Sequence, residues 1–205
     1  MVRTTSSIRT HVEALAEREP AFARVVDQHG IPEPRASAPG AHTLLRTIVG
    51  QQVSVAAARS MWSKLEAAFG APPELALLLA ASDEELRAAG MSRQKSAYIR
   101  SLAELVISGE LDLGALPEEN EEAIALLTKI KGIGRWSAEI YLLFAEGRPD
   151  VWPAGDLAVQ IEIGRLLGLP DKPSEKHLRE LAESWRPYRG AAAVLAWHSY
   201  NSSVL

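Results

Sequence analysis

Leu127-Thr128-Lys129-Ile130-Lys131-Gly132-Ile133-Gly134-Arg135-Trp136-Ser137-Ala138-Glu139-Ile140 is the stretch on which the reading of this chain turns. A helix is expected to end near Lys129. Two glycines then flank one apolar residue, and a new helix begins. Gly132 and Gly134 give the backbone angles that a tight reversal needs. Ile133 between them can plug back into the helix pair, and Ala138 is small where two helices pack closely. The second helix would start with unpaired N–H groups, which suit a phosphate group. Lys129, Lys131 and Arg135 would flank that phosphate. The backbone carbonyls of Thr128, Ile130 and Gly132 are candidate ligands for a monovalent cation. A Gly-x-Gly turn alone also fits an ordinary helix–helix connection. The fuller spacing of apolar residues, glycines and alanine points to a helix-hairpin-helix, a grip on nucleic-acid backbone that carries no sequence preference.

The composition limits what surrounds this hairpin. The chain has 205 residues, 47% of them hydrophobic and 23% charged, which suits a folded globular protein rather than a disordered one. Its 22 Lys and Arg against 26 Asp and Glu give a net charge of -4, so no bulk attraction draws it to nucleic acid or an anionic membrane. Cysteine is absent, which excludes disulfides, a thiolate nucleophile, cysteine zinc sites and iron–sulfur clusters. No apolar stretch approaches the ~20 residues that span a bilayer. The first ten residues carry no apolar run, so a signal peptide is not expected. The expected location is the cytoplasm, at the bacterial nucleoid, or the nucleus in a eukaryote. A monomer without membrane contact is expected.

Outward from the hairpin the pattern is helical. In residues 93–108, Ala97, Tyr98, Leu102, Leu105 and Val106 recur at helical spacing. Similar patterns cover 8–18, 42–49, 55–69, 82–89, 119–129, 135–146, 157–167, 174–184 and 191–200. Ser82 with Glu85 reads as a capping box. Strand alternation is missing. Breakers rich in Gly and Pro lie at 30–40, 70–73, 109–117 and 147–155. The expected fold is all-α and two-lobed. One lobe, residues 31–148, carries the hairpin; the other joins 1–30 to 149–205.

After the second hairpin helix comes Val151-Trp152-Pro153-Ala154-Gly155-Asp156-Leu157. Asp156 suits the N-cap of the helix that follows, a role worth about 1 kcal/mol. Hairpin, Gly/Pro-rich loop and aspartate in this order resemble the helix-hairpin-helix, Gly/Pro/Asp (HhH-GPD) superfamily of DNA base-excision glycosylases. Gly50-Gln51-Gln52-Val53-Ser54-Val55-Ala56 and Trp185-Arg186-Pro187-Tyr188-Arg189 leading to Trp197 are most similar to the 3-methyladenine DNA glycosylase II (AlkA-like) branch. The resemblance covers residues 41–200 and includes no counterpart of the N-terminal β domain of longer bacterial members, so a compact form is expected.

The resemblance implies an active site in a cleft between the lobes, with Asp156 catalytic. Its carboxylate would stabilise the positive charge that builds on the sugar as an N-glycosidic bond breaks, and orient or deprotonate the attacking water. An alkylated purine such as 3-methyladenine or 7-methylguanine is already cationic and leaves as a neutral base, so a strong general acid is less necessary. Trp136 stands where bifunctional relatives carry a Schiff-base lysine, which implies a hydrolase without lyase activity. The absent cysteines separate the chain from the iron–sulfur branch. No cofactor is required.

The substrate would be double-stranded DNA with the damaged base flipped out of the stack. Trp136, Trp197 and Tyr141 would hold that base by their aromatic faces, with Ile140 where some relatives place another aromatic. Gln52 stands where some relatives insert an apolar wedge into the gap. Trp62, Trp185 and Tyr188 read better as core, and Glu139, Glu162 and the 118–122 acidic run as solvated faces. Two alternatives remain beside alkylpurine excision. One is a glycosylase of the same fold for deaminated, etheno or oxidised bases. The other is a non-catalytic DNA-binding module in which Asp156 only caps its helix.

Overall fold

The structure, a computed structural model, describes residues 6–203. Residues 1–5 and 204–205 of the expected second lobe, including the start of the stretch read for a signal peptide, lie outside the described residues. Among those described there are twelve α-helices, one 3-10 helix and no strand. In chain order the helices are α1 (Ser6–Arg18), α2 (Pro20–His29), α3 (Ala41–Gly50), α4 (Val55–Phe69), α5 (Leu75–Ala80) and α6 (Asp83–Ala88). They continue as α7 (Arg93–Ile107), α8 (Asn120–Leu127), α9 (Arg135–Phe144), α10 (Leu157–Leu166), α11 (Glu175–Leu181) and α12 (Arg189–Ser203), with a 3-10 turn over Ala182–Trp185. The sequence pattern locates ten of these twelve. It misses α2, which restarts at Pro20 immediately after α1, and α5, whose Leu-Ala-Leu-Leu-Leu-Ala is too short to show a period. The capping box at Ser82 forms in full, each residue bonding the other's backbone N–H.

The chain divides into two compact units, Ser37–Tyr141 and Met1–Ala36 with Leu142–Leu205. The divisions fall at 36/37 and 141/142, where the sequence placed them at 30/31 and 148/149. The Gly/Pro punctuation marks the loops, but packing decides membership. Leu143, near the end of α9, already lies against Gly190 of α12, and the Phe144 ring stacks obliquely on Trp197 at 5.8 Å.

Within the 37–141 unit, α7 is the central element, packed by α3, α5 and α6. Leu44, Leu45 and Ile48 of α3, Leu65 of α4 and Ile99 and Leu102 of α7 are fully buried. The α8–α9 hairpin is fastened to this layer. Ile130 and Ile133 are buried, and Lys131 donates its backbone N–H to Ser101 Oγ at 3.1 Å. Gly132 has φ +83 and lies flat on the Tyr98 ring, where an added Cβ would come 2.1 Å from the ring carbons. Gly134 differs from expectation: it has no positive φ, and nothing lies within 4 Å of where its Cβ would be. Only Gly132 is required by the turn; Gly134 leaves open space beside the start of α9.

In the other unit, α12 packs on α1, α2 and α10. Ala191, Ala192, Ala193 and Ala196 are fully buried, so helix axes can approach closely. Trp185 stands edge-on to both Phe22 at 5.1 Å and Trp152 at 5.4 Å, which confirms core packing for it.

Gly132→Ala is expected to destabilise the protein by about 2 kcal/mol or more, from a positive φ and collision with Tyr98. Gly134→Ala should stay within about 1 kcal/mol of the parent. Urea unfolding of the two variants checks the difference.

Candidate functional site

Asp156 is the N-cap of α10, with extended backbone at φ -71 and ψ 125. Its Oδ1 accepts the Val159 backbone N–H at 3.0 Å and the indole N–H of Trp197 at 3.1 Å. Two donors on one oxygen fix the plane of the carboxylate. The loop ahead of it is held along its length. Asp150 is clamped by Arg186 and Arg189, and the Gly190 N–H donates to Pro149 O at 2.8 Å. A Cβ on Gly190 would sit 2.7 Å from that carbonyl oxygen, so glycine permits the contact. Arg179 donates to Trp152 O and Gln160 Nε2 to Ala154 O, and the Asp156 N–H closes a turn on Pro153 O.

The helix that Asp156 caps carries an ion pair between a buried carboxylate and an exposed arginine. Glu162 on α10 is nearly inaccessible and binds Arg165, which also donates to Ser199 of α12 at 3.0 Å. Burial opposes ionisation of Glu162, but hydrogen bonds involving Arg165 and Ser199 outweigh it and hold its carboxyl below the ordinary range. This corrects the reading of Glu162 as a solvated face. Glu139 is corrected likewise: it is 2% exposed and accepts from Arg135 Nε at 3.0 Å.

Arg135 therefore differs from expectation as a phosphate ligand. Its guanidinium is engaged by Glu139 and, through both terminal nitrogens, by the Glu121 carboxylate. The Glu121 hydrogen bonds, foremost, raise its pKa. Its charge is balanced within the hairpin. Lys129 and Lys131 are exposed on the turn. The start of α9 stands open beside Gly134.

The aromatic residues separate. Trp136 is 47% exposed on the first turn of α9. With Gln51, Gln52, Lys95, Tyr98 and Gly132 it lines a concavity of about 920 Å³ in the 37–141 unit. Trp197 is half-buried and gives its N–H to Asp156, so it orients the carboxylate as well as presenting a ring. Tyr141 is 3% exposed and its hydroxyl accepts the Gly40 N–H at 2.8 Å, which ties down the entry to α3; this corrects its assignment to an open base pocket. Ile140 is partly buried. Trp62 is core, donating to Glu66 with Arg46 stacked 3.9 Å over its ring.

Gln52 is the one non-glycine residue with positive φ, +54, among those described, and it is exposed on the turn between α3 and α4. Sequence reasoning missed its neighbours. Gln51 reaches from this turn to the hairpin, donating Nε2–H to Gly132 O at 2.8 Å. Lys95 is buried and donates to Val49 O, in the last turn of α3, at 2.6 Å; burial pushes its ammonium below the ordinary lysine range. Gln51 belongs to the Gly50–Ala56 motif, but nothing in the sequence says which carbonyl it reaches. Of the carbonyls assigned to a cation, Gly132 O already accepts from Gln51 and Ile130 O from the Ile133 N–H at 3.0 Å.

Residues 45–187 match the family profile described as HhH-GPD superfamily base excision DNA repair protein. The chain is 35% identical over 161 residues to DNA-3-methyladenine glycosylase 1 of Schizosaccharomyces pombe, covering 75% of this chain and 69% of that one. A solved structure of the S. pombe 3-methyladenine DNA glycosylase in complex with abasic DNA superposes with a TM-score of 0.78 at 30% identity, covering 96% and 97% of the two chains. The structure of a DNA-3-methyladenine glycosidase from Bacillus halodurans superposes with a TM-score of 0.86 at 31% identity, covering 95% and 90%.

The Glu162–Arg165 pair makes a pH prediction. A carboxyl whose folded pKa is depressed contributes stability above its unfolded pKa, about 4.3, and loses it as pH falls through the folded value. The stability difference between the parent and Glu162→Gln should therefore be constant near neutrality and shrink below about pH 4. Denaturant titrations across that range check it.

Proposed function

The chain belongs to the HhH-GPD superfamily of base excision DNA repair proteins, and from that premise we propose that it is a DNA glycosylase hydrolysing the N-glycosidic bond of alkylated purines in double-stranded DNA, 3-methyladenine and 7-methylguanine foremost. The observation that carries the chemistry is the fixed carboxylate of Asp156, oriented by the Val159 and Trp197 N–H groups. Set beside C1′ of the damaged nucleotide, it stabilises the oxocarbenium-like sugar and orients the attacking water. The cationic purine departs as a neutral base, so no second acid is needed. Trp136 supplies an aromatic face with half its surface available, and Trp197 a second.

The exposed Lys129 and Lys131, the Ile133-plugged turn and the open start of α9 would grip phosphate without reading sequence. Arg135 acts within this proposal by holding the hairpin rather than by touching DNA. No organic cofactor takes part. A monovalent cation on the Thr128, Ile130 and Gly132 carbonyls would be structural, adding positive charge at the turn. With Trp136 in the lysine position there is no amine there to form a Schiff base, so hydrolysis proceeds without strand cleavage. The protein works as a monomer, wherever the DNA is. Among the described residues no helix is long and apolar enough to cross a membrane.

Asp156→Asn keeps the N-cap, since Asn caps as well as Asp, and removes the charge. It is expected to lower base release from methylated DNA by about a hundredfold or more with little change in Tm. A variant that kept full activity would refute the carboxylate mechanism. A parent that binds DNA yet releases no base would favour the non-catalytic module. Single-lesion duplexes run side by side separate alkylpurines from deaminated, etheno and oxidised bases, and borohydride should trap no covalent adduct.

With Arg135 neutralised, the phosphate footprint is small. The slope of log K against log salt should correspond to fewer than about eight neutralised phosphates. Fluorescence anisotropy between low and moderate salt measures it.

A further inference from the structure

The turn that carries Gln52 is tied to two different elements. Lys95 of α7 bonds Val49 O at the end of α3, and Gln51 bonds Gly132 O in the hairpin. Gly132 is seated against the Tyr98 ring, whose hydroxyl accepts from Gln94 at 2.6 Å. The Gly132 peptide thus has one face on Tyr98 and its carbonyl on Gln51. Immediately after Gln51 the backbone turns to φ +54 at Gln52, and Ser54 then caps α4 by accepting the Ala57 N–H. Gln52 and Val53 point outward on this short turn, both exposed. One side-chain amide thus links the hairpin backbone to the residue immediately before Gln52.

We infer that Gln51 is a positioning residue that couples the hairpin's grip on DNA to the insertion of Gln52 beside the base left without a partner. This rests on the proposed function, in which a base is displaced from the duplex and Gln52 fills the gap. The alternative for Gln51 is simple fold support. The two differ in what they make sensitive: coupling acts on insertion, while fold support acts on stability and on every DNA contact at once.

The probe is a duplex with 2-aminopurine opposite a tetrahydrofuran abasic analogue, whose fluorescence reports stacking of the unpartnered base. The parent should change that fluorescence at saturation. Gln51→Met, which keeps length and removes the donor, should cut the amplitude about fivefold, as should Gln52→Ala. The double variant should fall no further than Gln52→Ala alone, since both remove one coupled event. Affinity of Gln51→Met for undamaged duplex should stay within about twofold, because phosphate contacts are untouched. Gln51→Glu supplies the rescue. Its carboxylate faces the Gly132 carbonyl without a proton at neutral pH and can donate once protonated, so the amplitude should recover as pH falls from about 6 to 4. Full amplitude in Gln51→Met, a further loss in the double variant, parallel loss of duplex affinity, or a flat pH profile in Gln51→Glu would each overturn the coupling. Base release is not part of this readout. A parent that released no base would defeat the proposed function, while the fluorescence amplitudes would still decide whether Gln51 couples hairpin to turn.

Discussion

The carboxylate of Asp156 is held because it completes a helix. The first turn of α10 has backbone N–H groups without intrahelical partners, and Asp156 Oδ1 accepts one of them from Val159. A capping bond of this kind is short-range and directional, so it fixes a charged group where an ordinary surface aspartate would sample several rotamers. The Trp197 N–H on the same oxygen adds a second constraint from α12. The alanine-lined approach of α12, the Arg165 bond to Ser199, and the Asp150 clamp by Arg186 and Arg189 hold α10, α12 and the preceding loop together. Capping and the proposed catalytic role of Asp156 are therefore compatible: the cap fixes the carboxylate that the proposal uses.

Electrostatics in the hairpin follow the same logic. A net charge of -4 argues against broad wrapping of DNA. The hairpin's one arginine is neutralised by Glu121 and the buried Glu139. What the proposal leaves to meet phosphate is the helix start open beside Gly134 and the exposed Lys129 and Lys131. A buried carboxylate such as Glu139 is costly unless paired, so Arg135 is committed to it and the grip falls to backbone dipoles. On the proposed function such a grip would be local and indifferent to sequence.

The hairpin, the loop and Asp156 were legible in the sequence because each carries a local signature: paired glycines, a Gly/Pro cluster, a capping residue ahead of an apolar run. Ten helices were legible from periodicity and caps. The misreadings share a different cause. Arg135, Glu139 and Glu162 look like surface charges in the chain, and their pairing depends on which helix face turns inward. Glu162 and Arg165 are three apart on α10, a spacing that suits pairing, yet the burial that makes the pair matter comes from α12. Tyr141 and Trp197 look alike as aromatics; one anchors Gly40 and the other orients Asp156, a distinction set by hydrogen bonds over long separations. The unit boundaries moved for a similar reason: loops mark where the chain bends, while Leu143 and Phe144 belong where they pack.

The turn at Gln52 shows where the fold accepts local strain. A non-glycine residue at positive φ costs on the order of 1 kcal/mol or more, and glycine would meet the same backbone without that cost. The hydrogen bonds of Gln51 and Lys95, both made on the chain just before Gln52 and each worth about 1 kcal/mol or more net, are of the right size to offset it. If the turn had only to join α3 to α4, a glycine there would leave those bonds as surplus stability. The side chain at that position is exposed and polar. The turn is held to α7 through Lys95 and to the hairpin through Gln51, and on the proposed reading this makes it a mount for the Gln52 side chain.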